Sequence, residues 1–323
     1  MVLEKIVVTG GTGFLGERVT ETLSTSGVEV LSCSRREGVD IRDGSAFGTW
    51  LATVKPDCVV HCAAHVGGIG YVGKHAIEVF HDNVAIGTGL MQGIRQAGVD
   101  RLLSVMPNCT YPGEKQIYRE HEWWDGAIHD SVLMYGLPRK MLWGLCKTYG
   151  PVTGLRSAHL ILPNLYGPGD HFDPLRSHAL GALVRKILDA QRHGASSVEL
   201  WGTGTPVREW MFVRDAAEAV KKFLESDALD DPESCSHEIY NVGIGEGVSI
   251  AALAETIKTA VGWEGSFVFD RTRPDGALRK LLDGTRFGAL TGWSPSHCLD
   301  DGIEETVSWY RAHAASELSH AHS

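Results

Sequence analysis

Short apolar runs alternate with longer stretches of helical spacing through the first half of the chain. Lys5-Ile6-Val7-Val8 reads as a buried strand, and residues 15–26 then carry apolar positions three and four apart. Residues 28–31, 58–62 and 101–105 read as further strands, 75–97 and 134–149 as long helices, and 156–162 as another strand. Strand, helix, strand, repeated, implies right-handed crossovers and a parallel sheet buried on both faces. The expected fold class is therefore α/β: a Rossmann-type doubly wound parallel sheet with a smaller C-terminal α/β substrate-binding cap.

The pattern loosens after residue 167. Glycine and proline cluster in Gly167-Pro168-Gly169-Asp170, and short elements surround 198–201 and 267–269. Apolar spacing predicts helices at 178–192, 215–225, 249–261 and 301–314. Residues 1–166 are expected to form a dinucleotide-binding domain with a late sheet return near 238–248, and 167–323 mainly the cap. The polar tail 316–323, with His320 and His322, is expected to be solvated rather than metal-binding.

Composition narrows the function without naming it. The chain has 323 residues, 43% hydrophobic and 22% charged, as expected of a folded protein with a sizeable core. Thirty Lys and Arg against 40 Asp and Glu give a net charge of −10, which argues against nucleic acid or an anionic membrane as partner. A local pocket can still be basic. No apolar run approaches the roughly 18 residues that span a bilayer. The N-terminal stretch lacks a signal-peptide layout and runs straight into the first strand. Seven scattered cysteines do not form a disulfide framework. Cys58 and Cys62 lie in an apolar run without a second ligand pair, so buried thiols are preferred to a zinc site, and no metal is expected. The expected compartment is the reducing cytoplasm.

Chemistry enters at Thr9-Gly10-Gly11-Thr12-Gly13-Phe14-Leu15-Gly16, directly after a strand and opening a helix. Gly10 permits a tight turn, Gly13 lets backbone N–H groups approach a pyrophosphate, and Gly16 allows close helix–sheet packing. After the second strand, an NAD site would usually offer an acid to the ribose hydroxyls. Here Ser34-Arg35-Arg36 follows, and guanidinium groups suit a 2′-phosphate, so NADP is the expected cofactor. A solvated basic turn is the alternative. Asp40 is a candidate for the adenine edge.

Further motifs run in order along nearly the whole chain. They are His61-Cys62-Ala63-Ala64-His65-Val66-Gly67-Gly68-Ile69, Asn108-Cys109-Thr110-Tyr111-Pro112, Pro163-Asn164-Leu165-Tyr166-Gly167-Pro168, Ser177-His178 and Trp201-Gly202-Thr203-Gly204-Thr205-Pro206-Val207-Arg208-Glu209. Asn241-Val242-Gly243, Pro274-Asp275-Gly276 and Arg279-Lys280-Leu281-Leu282-Asp283 follow. Together they resemble the extended short-chain dehydrogenase/reductase family and, within it, the GDP-L-fucose synthases. Those enzymes invert C3 and C5 of a GDP-4-keto-6-deoxy sugar and reduce its C4 ketone with NADPH. The resemblance implies Cys109 and His178 as the epimerisation acid and base, since inverting a carbon beside a ketone needs proton removal and delivery on opposite faces. Read from chemistry alone, both residues also fit structural roles.

The same resemblance implies cofactor contacts from Thr12, Phe14, Leu15, Ala63, Ala64, Arg139, Asn164 and His178. It implies substrate contacts from Asn164, Lys186, Trp201, Arg208 and Lys280, with Trp201 stacking and Arg208 neutralising a diphosphate. The two lysines fit a solvated surface equally well. A nucleotide sugar, GDP-linked, is the implied partner. Residues 75–97 and 134–149 resemble the helix pair through which the family forms homodimers.

The family's hydride-transfer set is Ser, Tyr and Lys, and here it is altered. Tyr135 is present, but Arg139 stands four residues on, where the lysine belongs. Lys140 comes one later, turned about 100° around the helix. Pro107 occupies the serine position, and Asn108 is the nearest polar substitute. Ketone reduction is accordingly expected to be weak, or lost in favour of epimerisation alone.

Overall fold

The computed structural model describes residues 3–113, 115–173, 176–230, 236–273 and 275–320. Cys235, Pro274, His322 and the side chain of His320 lie outside what is described. Six strands form one sheet: β1 (Lys5–Thr9), β2 (Glu29–Cys33), β3 (Cys58–His61), β4 (Arg101–Pro107), β5 (Arg156–Leu162) and β6 (Ser236–Asn241). Their order is β6-β5-β4-β3-β1-β2, and every neighbouring pair is parallel. From β1 the chain moves to β2 on one side and then returns to β3 on the other. The order therefore reverses at β1, and the crevice beyond the strands' carboxyl ends opens there.

Alternate side chains of each strand enter opposite layers. Val7, Val59 and Leu102 pack against α2 (Gly44–Val54), α3 (Ala76–Ala97) and α4 (Leu133–Thr153) through Phe47, Leu51, Leu90 and Leu142. Ile6, Val8, Val60 and Leu103 pack against α1 (Phe14–Ser24) and α5 (Val213–Glu225) through Val19, Leu23, Ala216 and Val220. Burying each large side chain contributes about 1.5–3 kcal/mol, which fixes the sheet that carries the site.

The second half builds a separate core from helices Ala179–His193, Ile250–Val261 and Leu299–His320, with the parallel strands Ser197–Trp201 and Ser266–Asp270. A four-stranded ribbon joins the halves, in the order Val248–Ser249, Val207–Arg208, Arg279–Leu282, Ile117–Tyr118. Its last strand belongs to the excursion between β4 and α4, so the Cys109 segment is tied to the strand bearing Lys280. The sequence pattern missed α2, helices Ile69–Lys74 and Thr285–Thr291, and the two- and three-residue strands. Pro138 lies in the second turn of α4, where its missing N–H removes a bond to the Met134 carbonyl. Among the described residues, no helix is long and apolar enough to cross a membrane.

Candidate active site

At the end of β1 the chain turns through Gly10, whose φ is +72° and whose N–H reaches the Cys33 carbonyl at 2.7 Å. A Cβ at Gly10 would lie 2.8 Å from the Ala63 backbone, so only glycine fits. Thr12 follows in the turn, and Gly13 caps α1 with no side-chain hydrogen bond. The first-turn N–H groups of Phe14, Leu15 and Gly16 thus stand at a positive helix end suited to a pyrophosphate.

Arg35 and Arg36 lie in a one-turn 3₁₀ helix, Arg35–Glu37, just beyond β2. Both are exposed, and neither makes an ion pair among the described residues. The sequence reading found no acid after this strand, and that needs correcting. Glu37 folds back, its Oε2 accepting the Ser32 hydroxyl at 2.8 Å and the Ser34 hydroxyl at 2.7 Å. Asp40 is bound by Arg42, through the backbone N–H at 3.0 Å and the guanidinium Nη2 at 2.6 Å. Those bonds hold its carboxyl below the usual range.

Tyr135 is half-buried on the first turn of α4, and the Arg139 guanidinium carbon lies 5.5 Å from its ring centre. Arg139 is 4% exposed. It donates to His61 Nε2 at 3.2 Å, to the Ala63 carbonyl at 3.0 Å and to Asn83 Oδ1 at 3.2 Å. His61 is fully buried, and burial followed by the Arg139 charge keeps its imidazole neutral. Its Nδ1–H is then directed at the Thr9 hydroxyl, 2.8 Å away, which leaves Nε2 free to accept. Burial pushes the Tyr135 hydroxyl up and the Arg139 charge opposes it.

Lys140 turns elsewhere, donating to the Trp123 carbonyl with its ammonium 4.8 Å from the Trp123 ring and 4.4 Å from that of Trp124. Burial lowers it to about 8. Asn108 is half-buried, and its side chain makes no hydrogen bond among the described residues. Pro107 ends β4 opposite Leu162.

Cys109 links the two halves of the site. Burial pushes its thiol up to about 12, while the charges of Lys280 and Arg139 pull the other way. Lys280 and Arg208 are direct register partners on their strands. Each is held below its ordinary range, first by burial, and the Arg208 charge further lowers Lys280. Arg208 Nη1 is fixed by the Val207 carbonyl at 2.8 Å and the Ala277 carbonyl at 2.6 Å. Two cations side by side suit a diphosphate.

Trp201 is 63% exposed and flanked by the Lys186 ammonium at 5.8 Å and the Arg273 guanidinium at 5.1 Å. Lys186 donates to the Glu199 carbonyl at 3.3 Å. Asn164 donates its amide to the Glu209 carbonyl at 3.0 Å.

The structure brings together Tyr135, Arg139, Cys109, Lys280 and Arg208. His178 belongs to a different segment. It caps helix Ala179–His193 with no side-chain bond, and burial followed by the neighbouring His171 lowers its imidazole. Sequence reasoning missed His61, Asn83 and Glu209. Glu209 is 0% exposed and accepts backbone N–H groups from Leu282 at 2.7 Å, Gly245 at 3.3 Å and Ile244. Burial raises it to about 7 against those three donors. Two of the three carried a sequence signal, His61 as a polar residue inside the apolar run 58–62 and Glu209 as a charged residue just before Trp210-Met211-Phe212.

Comparison with known proteins agrees with this architecture. Residues 6–243 match the NAD dependent epimerase/dehydratase family. The GDP-L-fucose synthase of Azorhizobium caulinodans is 33% identical over 308 residues, covering 95% of this chain and 96% of its own. That of Escherichia coli is 32% identical, covering 96% and 97%. A GDP-6-OMe-4-keto-L-xylo-heptose reductase from C. jejuni superimposes with a TM-score of 0.85 at 25% identity, covering 96% of this chain and 98% of that one. A Naegleria fowleri GDP-L-fucose synthetase bound to NADP gives 0.83 at 25% identity, covering 97% and 95%. The doubly wound sheet, the glycine turn and these relatives lead to one conclusion: the chain belongs to the NAD dependent epimerase/dehydratase family, among the extended short-chain dehydrogenases/reductases.

Proposed function

We propose that this protein is an NADP-dependent epimerase/reductase of a GDP-4-keto-hexose or a close relative. The observation that carries the reading is the position of Cys109, whose thiol feels the charges of Arg139, beside Tyr135, and of Lys280, the register partner of Arg208. The open helix end at Gly13 and the exposed Arg35 and Arg36 fit an NADP pyrophosphate and 2′-phosphate. NADPH held there supplies a hydride to the ketone carbon.

The chain's own residues handle the protons and the charge. Arg208 and Lys280 neutralise the diphosphate, and Trp201 stacks on the nucleobase. His178, kept neutral by burial, removes a proton from a carbon beside the ketone, and the un-ionised Cys109 thiol delivers one to the opposite face. Tyr135 gives its proton to the ketone oxygen, and Arg139 stabilises the phenolate that remains.

A second reading, epimerisation with little net reduction, is favoured by Pro107, which has no hydroxyl to offer the ketone. Incubation with a GDP-4-keto-sugar in heavy water, with and without NADPH, tests both. Deuterium uptake with NADPH oxidation supports the first reading, and uptake alone the second. Cys109→Ser and His178→Ala should each slow uptake by about 10²–10⁴ while cofactor binding holds. Inverted product that still forms in the double variant removes the pair from the mechanism.

A homodimer through α3 and α4 fits their exposed Ile77, Leu133 and Leu137, the first two of which border a groove of about 300 Å³. Sedimentation at monomer mass would exclude it. The free thiols fit a cytoplasmic setting.

A further inference from the structure

A carboxylate–imidazole–hydroxyl arrangement stands outside the residues assigned so far. His65 Nδ1 lies 2.8 Å from Asp82 Oδ2, and His65 Nε2 lies 2.9 Å from the Tyr71 hydroxyl. Asp82 Oδ1 is separately held by Arg42 at 2.8 Å, so only one of its oxygens faces the imidazole. Burial works against the Asp82 charge, but the bonds from Arg42 and His65 hold its carboxyl below the usual range. An anionic Asp82 requires the proton of neutral His65 on Nδ1, which leaves Nε2 as an acceptor. The Tyr71 O–H therefore points at Nε2. Arg176 Nη2 donates to the same phenolic oxygen at 3.3 Å, with its guanidinium 5.1 Å from the ring. The His75 ring lies 4.6 Å from that of Tyr71.

This group is tied to both halves of the candidate site. Asn83 Oδ1 accepts the His65 backbone N–H at 3.2 Å and the Arg139 guanidinium at 3.2 Å. Gly68 donates its N–H to the Arg176 carbonyl at 2.9 Å, and a Cβ there would lie 2.3 Å from the Ser177 carbonyl. Only glycine permits that approach, and His178 is the next residue.

We propose that Asp82, His65 and Tyr71 form a second proton relay of this site, with the Tyr71 hydroxyl as the group that exchanges a proton with the keto-sugar. In the forward direction, the Tyr71 O–H proton moves to His65 Nε2, giving an imidazolium beside Asp82 and a phenolate beside Arg176. The phenolate takes a proton from a carbon next to the ketone. The C–H electron pair passes into the enolate and Tyr71 regains its O–H. Tyr71 then gives a proton back to the enolate carbon and takes its own from the His65 imidazolium, whose exchange with water brings solvent hydrogen into the sugar. Tyr71 is the proton-transfer residue, and His65 and Asp82 are positioning residues. The assignment to a keto-sugar rests on the function proposed above; the relay does not.

Two measurements keep these apart. Labelling of the full chain with an aryl sulfonyl fluoride, read by mass spectrometry without substrate, reports phenolate character directly. Tyr71 should react about tenfold faster than any other tyrosine, and His65→Leu and His65→Gln should each abolish that advantage. If Tyr71 reacts no faster, or is indifferent to both changes, the relay is overturned. Tyr71→Phe, a mild change at a half-buried ring, should lower solvent deuterium uptake into a GDP-4-keto-sugar by about 10²–10⁴ with unchanged NADPH affinity. Uptake equal to that of the unaltered protein would overturn the role of Tyr71 toward substrate. If the unaltered protein shows no uptake at all, the keto-sugar reading fails while the labelling still decides the relay.

Discussion

Asp170 should make the protein less stable as pH rises, and Asp170→Asn should remove that dependence. The residue ends the turn after strand Asn164–Tyr166 and is 7% exposed. Its Oδ1 accepts the His171 N–H at 2.7 Å, while Oδ2 is buried with no partner among the described residues. Burial raises the carboxyl from 3.8 to about 7, opposed by that single N–H. The folded state therefore holds the proton more tightly than the unfolded state. Below the unfolded value both states are protonated and nothing is lost. Between about 4 and 7 the unfolded chain ionises first, so stability falls with pH, and above 7 the loss is constant. Three units correspond to about 4 kcal/mol as an upper bound. Asparagine keeps the shape but carries no charge, and its own unpaired amide costs about 1–3 kcal/mol at every pH. The slope is therefore the quantity to read, not the offset. Urea unfolding followed by tryptophan fluorescence at pH 5, 6, 7 and 8 supplies it. A stability difference between the two proteins that is the same at pH 5 and pH 8 would refute the reasoning.

The remaining outcomes concern the cofactor and the altered hydride-transfer set. Arg35→Ala with Arg36→Ala should weaken NADPH binding far more than NADH binding, and Glu37→Gln should widen the preference for NADPH by easing repulsion of a 2′-phosphate; calorimetry with both cofactors checks each. Arg139→Lys should slow single-turnover NADPH oxidation by about tenfold or more, because a lysine's single nitrogen cannot stand at both the Nη1 position on His61 and the Nη2 position on Ala63 and Asn83, while Pro107→Ser should accelerate it. A lysine variant faster than the unaltered protein would show that the guanidinium is not the working cation.

The sheet was legible because strands covered on both faces must be continuously apolar, as Val59-Val60 and Leu102-Leu103 are. Helix α2 was not. Gly44 and Gly48 interrupt its pattern, and both lie where a Cβ would collide with Gln92 or Gln96 of α3, so the interruption is itself the packing signal. Strands such as Val207–Arg208, two residues long, are too short to repeat a period of two. Of the site, the glycine turn and the Tyr135/Arg139 spacing were readable because they are local. His61, Asn83 and the Asp82–His65–Tyr71 group were not, because their contacts join segments up to 78 residues apart with no shared periodicity. Glu37 was missed because only the backbone path returns it to Ser32.

The carboxylate of Glu209 has a thermodynamic consequence for ligand capture. By collecting N–H groups from the Leu282 strand and the Ile244–Gly245 turn, it locks two very short strands in register before any anion arrives. Freezing a long cationic side chain on a loose loop costs up to about 2 kcal/mol, and its backbone about 1–2 kcal/mol per residue. In this fold the backbone at Arg208 and Lys280, and the Arg208 guanidinium, are already ordered, so that entropy is lost during folding rather than on association. An anionic ligand then meets a receptor that needs little rearrangement, and more of its contact energy remains as affinity.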